Sequence, residues 1–301
     1  MQGMRPQVFQ NPVVVIFCHS RASLLETAIQ SFIAAEDSEN WSLVVVQQLG
    51  YQEVDLILQK YSEEIDYLHT FSPISDHYLA NINHSRLTGW EIAFTNFCSS
   101  FVIGIEEDTS IAGDLLIFSN FIFRKYGTHP RFRGINYTSF YSFNQDLLHT
   151  YTLRRFGLSG QCGGLPRNTW KKFNLASLRK LGSEEEWASH IEPLMKTGFT
   201  VFPNQSRALD QGWGGTSNPS STSTEDYFIR HKQSWVGSHA CQENFIRFDL
   251  REEIWRNDAI LYNPWHNLYF SFRKYKSIQN IYHLLRKIGF PNIKTMIHGS
   301  N

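Results

Sequence analysis

The sequence predicts an α/β fold, a mixed and mainly parallel sheet flanked by helices. Three observations carry that prediction. Short runs rich in Val, Ile and Phe recur without alternation, as in strands buried on both faces. Segments with helical spacing separate them, which implies crossover connections and parallel pairing. One run, Phe101 to Ile105, stops abruptly in Glu106, Glu107 and Asp108. Unpaired charge is too costly to carry into a core, so this triplet belongs where the strand emerges. In an open α/β sheet that edge is where ligands bind.

The elements follow in order. Val13 to Phe17 reads as a buried strand after Pro12 and breaks at Cys18 to Arg21. Leu24 to Phe32 has helical spacing, and Ser42 to Val46 is a second strand closing on Gln47 and Gln48. Val54 to Tyr61 is helical, Asp66 to Phe71 a short strand, and Asn83 to Phe97 a helix leading to the strand at Phe101. Gly113 to Tyr126 completes this half as an amphipathic helix.

The second half is less regular. Arg131 to Ser139 reads as a strand, and a Gly-rich passage runs from Phe156 to Gly164. Pro166 suits the first turn of a helix through Phe173. Ser183 caps a helix opening with Glu184, Glu185 and Glu186, acids that suit a positive helix N-terminus. Phe199 to Phe202 is a strand that enters a polar loop from Asp210 to Thr224, rich enough in Gly and Ser to act as a mobile lid. The tail after Asp258 has no acid and interleaves Arg273, Lys274, Lys276, Arg286, Lys287 and Lys294 with apolar residues. Such a basic amphipathic helix either lies on anionic lipid or packs on the main body.

Composition narrows the classes. Charge balances at 28 basic against 28 acidic residues, so no global field favours nucleic acid. Aromatic content of 15% supplies both core and platforms for sugars or bases. Cys18, Cys98, Cys162 and Cys241 form no CxxC pair and read as reduced thiols. With no apolar leader at the N-terminus and no spanning window, the expected location is cytoplasmic, with peripheral attachment at the inner membrane face through the tail.

Adjacent carboxylates repel unless something positive lies between them, and a divalent metal holding a diphosphate is the usual arrangement. The alternative is a solvated acidic turn. With the triplet placed at a strand end after strand, helix and strand, the chain resembles GT-A glycosyltransferases. The inverting N-acetylglucosaminyltransferase I type and related bacterial sugar transferases are the nearest in pattern. Val13 to Arg21 looks like that family's first strand and nucleotide-contacting loop, and Val44 to Gln48 like its second strand. Phe202 to Arg207 and Gly212 to Ser217 are similar to its Pro-rich strand and the Gly/Ser loop over the donor.

The resemblance implies a metal-dependent transfer of a sugar from a nucleotide-diphosphate donor, a UDP-sugar, to a glycan or lipid-linked acceptor with inversion, in polysaccharide synthesis. Residues 1–126 would form the nucleotide-sugar half, 127–258 the acceptor half and 259–301 the basic tail. Asp108 would ligate Mn2+ or Mg2+, while Glu106 and Glu107 would meet ribose or sugar hydroxyls. Arg21 would meet the phosphates, and His84, at a helix start, the uridine. Gln48 stands where the family's pattern has an acid that reads the uracil. Gly160, Gly163 and Gly164 would let the backbone approach the donor sugar, and Trp213 would close over it. The stretch Arg155 to Leu158, where the N-acetylglucosaminyltransferase I base would precede a Gly-rich turn, holds no acid. Glu185 or Glu186 then takes that role, with Glu184 capping, and His231 or His239 are further metal candidates.

Two other readings remain open. One is a transferase-like protein that binds carbohydrate or a partner without catalysis. The other is a sugar-1-phosphate nucleotidyltransferase, against which stands the absence of a basic Gly-rich loop after the first strand.

Overall fold

The computed structural model describes residues 10–138, 150–154, 157–181, 187–212, 235–238 and 245–247. The first half alternates as expected. Strand β1 (Val13–Cys18) leads to α1 (Ala22–Ile33), β2 (Ser42–Gln48), α2 (Gln52–Lys60) and β3 (Tyr67–Phe71). Helix α3 (Tyr78–Thr95) then delivers β4 (Phe101–Glu106), followed by β5 (Thr109–Ile111) and α4 (Leu115–Tyr126). The second half holds β6 (Phe132–Asn136), β7 (Thr150–Arg154), β8 (Cys162–Pro166), the helices α5 (Arg167–Trp170), α6 (Leu175–Leu178) and α7 (Trp187–Met195), then β9 (Phe199–Pro203), β10 (Ala208–Asp210) and β11 (Ile246–Arg247).

Among the described residues the main sheet runs β11-β7-β9-β6-β8-β4-β1-β2-β3. Strands β1 to β4 pair in parallel, whereas β8 is antiparallel to both β4 and β6. The mixed, mainly parallel sheet expected from the sequence is therefore present. Alternate residues of each central strand point to opposite faces. Val14, Ile16, Leu43, Val45, Ile103 and Ile105 join Leu25, Ile29 and Leu116 in one core. Val13, Val15, Phe17, Val44, Val46 and Val102 join Leu87, Trp90 and Phe94 in the other. Covering both faces is what lets these strands be apolar throughout.

Chain direction sets the crevice. From β1 the chain steps outward to β2 and β3, then returns to place β4 on β1's other side. Connections leaving β1 and β4 therefore diverge, and the sheet opens between their carboxyl ends. A separate antiparallel ribbon, β5 with β10, overhangs this point, with Thr109 opposite Asp210.

Several expectations need correction. Helix α3 begins at Tyr78, so His84 lies within it and not at its start. Asn81 and Asn83 are buried there, which interrupts the apolar period. Asn81 Oδ1 accepts from Ile74 N at 2.9 Å, and Asn83 Oδ1 accepts from Trp187 N at 3.0 Å. Part of the Gly-rich passage is strand β8, and its glycines answer to packing. A Cβ at Gly163 would lie 2.7 Å from Leu158 Cγ, and one at Gly164 would lie 2.4 Å from Phe101 Cζ. Asp210 closes β10, and the expected loop beyond Gly212 lies outside the described residues. Arg155, Phe156, Glu184, Glu185, Glu186, Trp213, His231, His239, Cys241 and the 259–301 tail lie outside the described residues.

Cys18, Cys98 and Cys162 are free thiols. No helix among the described residues is long and apolar enough to cross a membrane.

Candidate active site

Strand β4 carries its acids to the crevice, and its neighbours supply partners for them. Several of these come from the β1–α1 loop. Arg21 precedes α1, where its carbonyl accepts from Leu25 N at 2.9 Å and fixes the loop. From there Arg21 Nε donates to Glu107 Oε1 at 2.8 Å and Nη1 to Asp108 Oδ2 at 2.6 Å. Glu107 Oε2 also accepts from His19 N at 2.6 Å. With 2% of its surface exposed, Glu107 stitches the end of β4 to the β1 loop.

Glu106 has a different partner. Arg86, on α3, donates through Nη2 to Glu106 Oε1, and its guanidinium lies 4.2 Å from the Phe17 ring centre. Reaching that point requires α3 to sit hard against the sheet. Gly89 permits it: a Cβ there would fall 2.6 Å from Phe17 Cε1 and 2.7 Å from Val15 Cγ1. Glu106 keeps about a third of its side chain exposed (32%), facing the crevice. Desolvation raises its pKa, with Asp108 adding to the rise and Arg86 opposing it.

Asp108 is the least satisfied of the three. It is 5% exposed, and its Oδ1 accepts no hydrogen bond among the described residues. Beside it stands Asp210, a residue the sequence predicts at the start of a polar loop. Gln211 N donates to the Asp108 carbonyl at 2.7 Å, and a Cβ on Gly212 would collide with Asp108 Oδ2 at 2.1 Å. A side chain at that position would push the Asp108 carboxylate and the Arg21 guanidinium aside. Asp210 accepts from Gly212 N at 2.8 Å and from Gln161 Nε2 at 2.6 Å. Even so, burial first, and the charge of Asp108 second, push its pKa up to about 7. Thr109, opposite Asp210 in the ribbon, is buried, and its hydroxyl has no partner among the described residues.

The residues expected on the base side gather at a neighbouring corner. Gln48 ends β2 and pairs with Phe71 of β3, whose ring lies 4.9 Å from His84. Burial, and then His69, lower the pKa of His84, which favours the neutral imidazole. Tyr51 meets His19 at the mouth, Oη to Nε2 at 3.1 Å. Gln47, whose side chain leaves β2 on the face opposite to that of Gln48, donates its amide to Asp55.

Among the described residues no three His, Cys, Asp or Glu side chains converge as a cage for a metal ion. A magnesium-like ion does not require one, since one or two carboxylates plus substrate phosphates suffice. Asp108 Oδ1 and Asp210 meet that smaller demand. Two close carboxylates, one holding its proton to neutral pH and the other with an unpartnered oxygen, fit a divalent cation.

Arg86, Asp210 and Gln161 were missed in the sequence. Arg86 left one signal, a charge on a helical face otherwise made of Leu87, Trp90 and Phe94. Asp210 left none.

No protein-family model matches the chain, and no curated protein matches its sequence. Among solved structures, a mannosyltransferase from Pyrobaculum calidifontis in complex with GDP-Man and Mn2+ aligns with a TM-score of 0.43 and 10% identity, over 75% of this chain and 69% of that one. TarS 1-349 of S. aureus aligns with a TM-score of 0.47 and 10% identity, over 74% of this chain and 64% of that one. A second TarS structure gives 0.32 and 13%, over 39% of this chain and 20% of the other. The chain thus spans less than two thirds of either TarS chain. No residue correspondence follows from likenesses this distant.

Proposed function

We propose that this chain is a GT-A-type glycosyltransferase, moving a sugar from a nucleotide diphosphate, with UDP as the leading base, to a hydroxyl of a glycan or lipid-linked acceptor. One observation carries the reading. At the sheet's topological switch point the β4 acids meet the β1 loop, and there Asp108 keeps an unpartnered buried oxygen beside a second carboxylate, Asp210.

The residues divide the work. Gln48 and His84 border the base-side corner, where a neutral imidazole can stack on or hydrogen-bond a base. Arg21, 33% exposed along its side chain, can turn its open edge to phosphate oxygens. A divalent cation held by Asp108 and Asp210 would supply charge stabilisation to the departing diphosphate. Glu106, oriented by Arg86, presents its exposed oxygen to hydroxyls of the donor. Glu107 holds the loop that carries Arg21. Glu185 or Glu186 would accept the proton of the acceptor hydroxyl as it attacks the anomeric carbon.

Binding of UDP and of GDP, each with Mn2+, tests the site by calorimetry. Asp108→Ala should abolish metal-dependent nucleotide binding; full retained affinity would refute the assignment. A second reading, non-catalytic carbohydrate or partner binding, is favoured by the arginines, because Arg21 and Arg86 already neutralise much of the triplet. Hydrolysis or transfer of any nucleotide sugar would exclude it.

A further inference from the structure

Arg21 and a divalent cation want the same carboxylate. The guanidinium holds Asp108 Oδ2 at 2.6 Å, while the oxygen left for a cation is the other one on that carbon. A doubly charged ion at Oδ1 would therefore sit within a few bond lengths of a fixed positive charge, where the Glu107 and Asp108 side chains that hold it are 3% and 5% exposed. Like charges that close repel strongly where water is scarce. A nucleoside diphosphate changes the balance, because its oxygens can take the guanidinium while they complete the ion's coordination.

We propose that Arg21 is an internal counter-ion that blocks cation loading until a nucleoside diphosphate arrives, so that cation and nucleotide bind cooperatively. The inference rests on the nucleotide-site reading above. The geometry suits the exchange. Nε on Glu107 can stay as a pivot, since Glu107 is also fastened by His19 N. Nη1 then moves from Asp108 to phosphate. The Gly212 crossing, which would place a Cβ 3.0 Å from Nη1, bounds the guanidinium on the ribbon side. Its exposed edge faces the crevice.

The test measures Mn2+ binding by calorimetry or by the loss of its free-ion spin-resonance signal, with and without UDP or GDP. Wild type should bind Mn2+ weakly alone and about 10-fold or more tightly with nucleotide, within the usual range of coupling between sites. Arg21→Gln should bind Mn2+ alone about 10-fold more tightly than wild type, with the coupling reduced towards one. Arg21→Lys keeps a charge but cannot span Glu107 and Asp108 together, so it should show the same changes in weaker form. It also serves where the glutamine variant fails to fold. Unchanged or weaker Mn2+ binding in the variants, or coupling left intact, overturns the counter-ion role alone. If wild type binds neither nucleotide with Mn2+, the nucleotide site falls and takes the counter-ion with it.

Discussion

Asp210→Asn should stabilise the cation-free protein while weakening the site. A carboxyl that titrates near pH 7 in place of 3.8 holds its proton in the folded chain across a range where the unfolded chain has released it. Its raised pKa favours folding fully below about pH 4. That contribution is lost progressively as pH climbs to 7, and stability is flat beyond. At about 1.4 kcal/mol per pH unit, the loss at pH 8 comes to about 4 kcal/mol, with about half of it present at pH 5.5. Asparagine avoids the charge and keeps an oxygen for Gly212 N, while Gln161 can turn its amide to meet the new NH2. Glu106 is also raised, but it is common to both proteins and largely cancels, apart from its coupling to the same acids. Urea unfolding with chelator present should find Asp210→Asn more stable than wild type at pH 8, by up to about 4 kcal/mol, and by about half as much at pH 5.5. Adding Mn2+ with nucleotide should raise wild-type stability and do less for the variant. A difference that ignores pH, or a variant less stable at pH 8, would refute the argument that Asp108 and Asp210 share one confined site.

Two other outcomes are expected. Glu185→Gln or Glu186→Gln should reduce turnover by about 10²–10⁴-fold with donor binding kept, measured by release of nucleotide diphosphate; unchanged rates in both remove them as bases. Arg207 and Asp114 form an ion pair with side chains 1% and 2% exposed at the start of the ribbon. Arg207→Leu should therefore cost about 3–5 kcal/mol in urea unfolding, and the double variant with Asp114→Leu should recover part of that.

Much of the first half was legible because its signals are local. Val13 to Phe17, Ser42 to Val46 and Phe101 to Ile105 are apolar at successive positions, as strands covered on both faces must be, and each is a strand of the sheet. The second half was harder for a physical reason. Strands β5 and β10 are three residues each and mix polar with apolar side chains, although most of them are buried. In β8 the sequence Cys-Gly-Gly-Leu-Pro reads as a loop, yet the bare glycine edges are what admit Leu158 and Phe101. Helix α3 hid its first turns behind Asn81 and Asn83, whose amides meet the backbone of the preceding loop at Ile74 and of the distant Trp187.

The order of apolar runs and the abrupt change from Ile105 to Glu106 were enough to place an acidic turn at the ligand-binding edge of an α/β sheet. What those acids meet was decided only in three dimensions. Arg21, Arg86 and Asp210 come from three separate segments, and only the sheet register and the approach of α3 at Gly89 bring them to one crevice. Apolar burial is written residue by residue along a strand, whereas the energy of a charge depends on which other charges folding brings within a few ångströms.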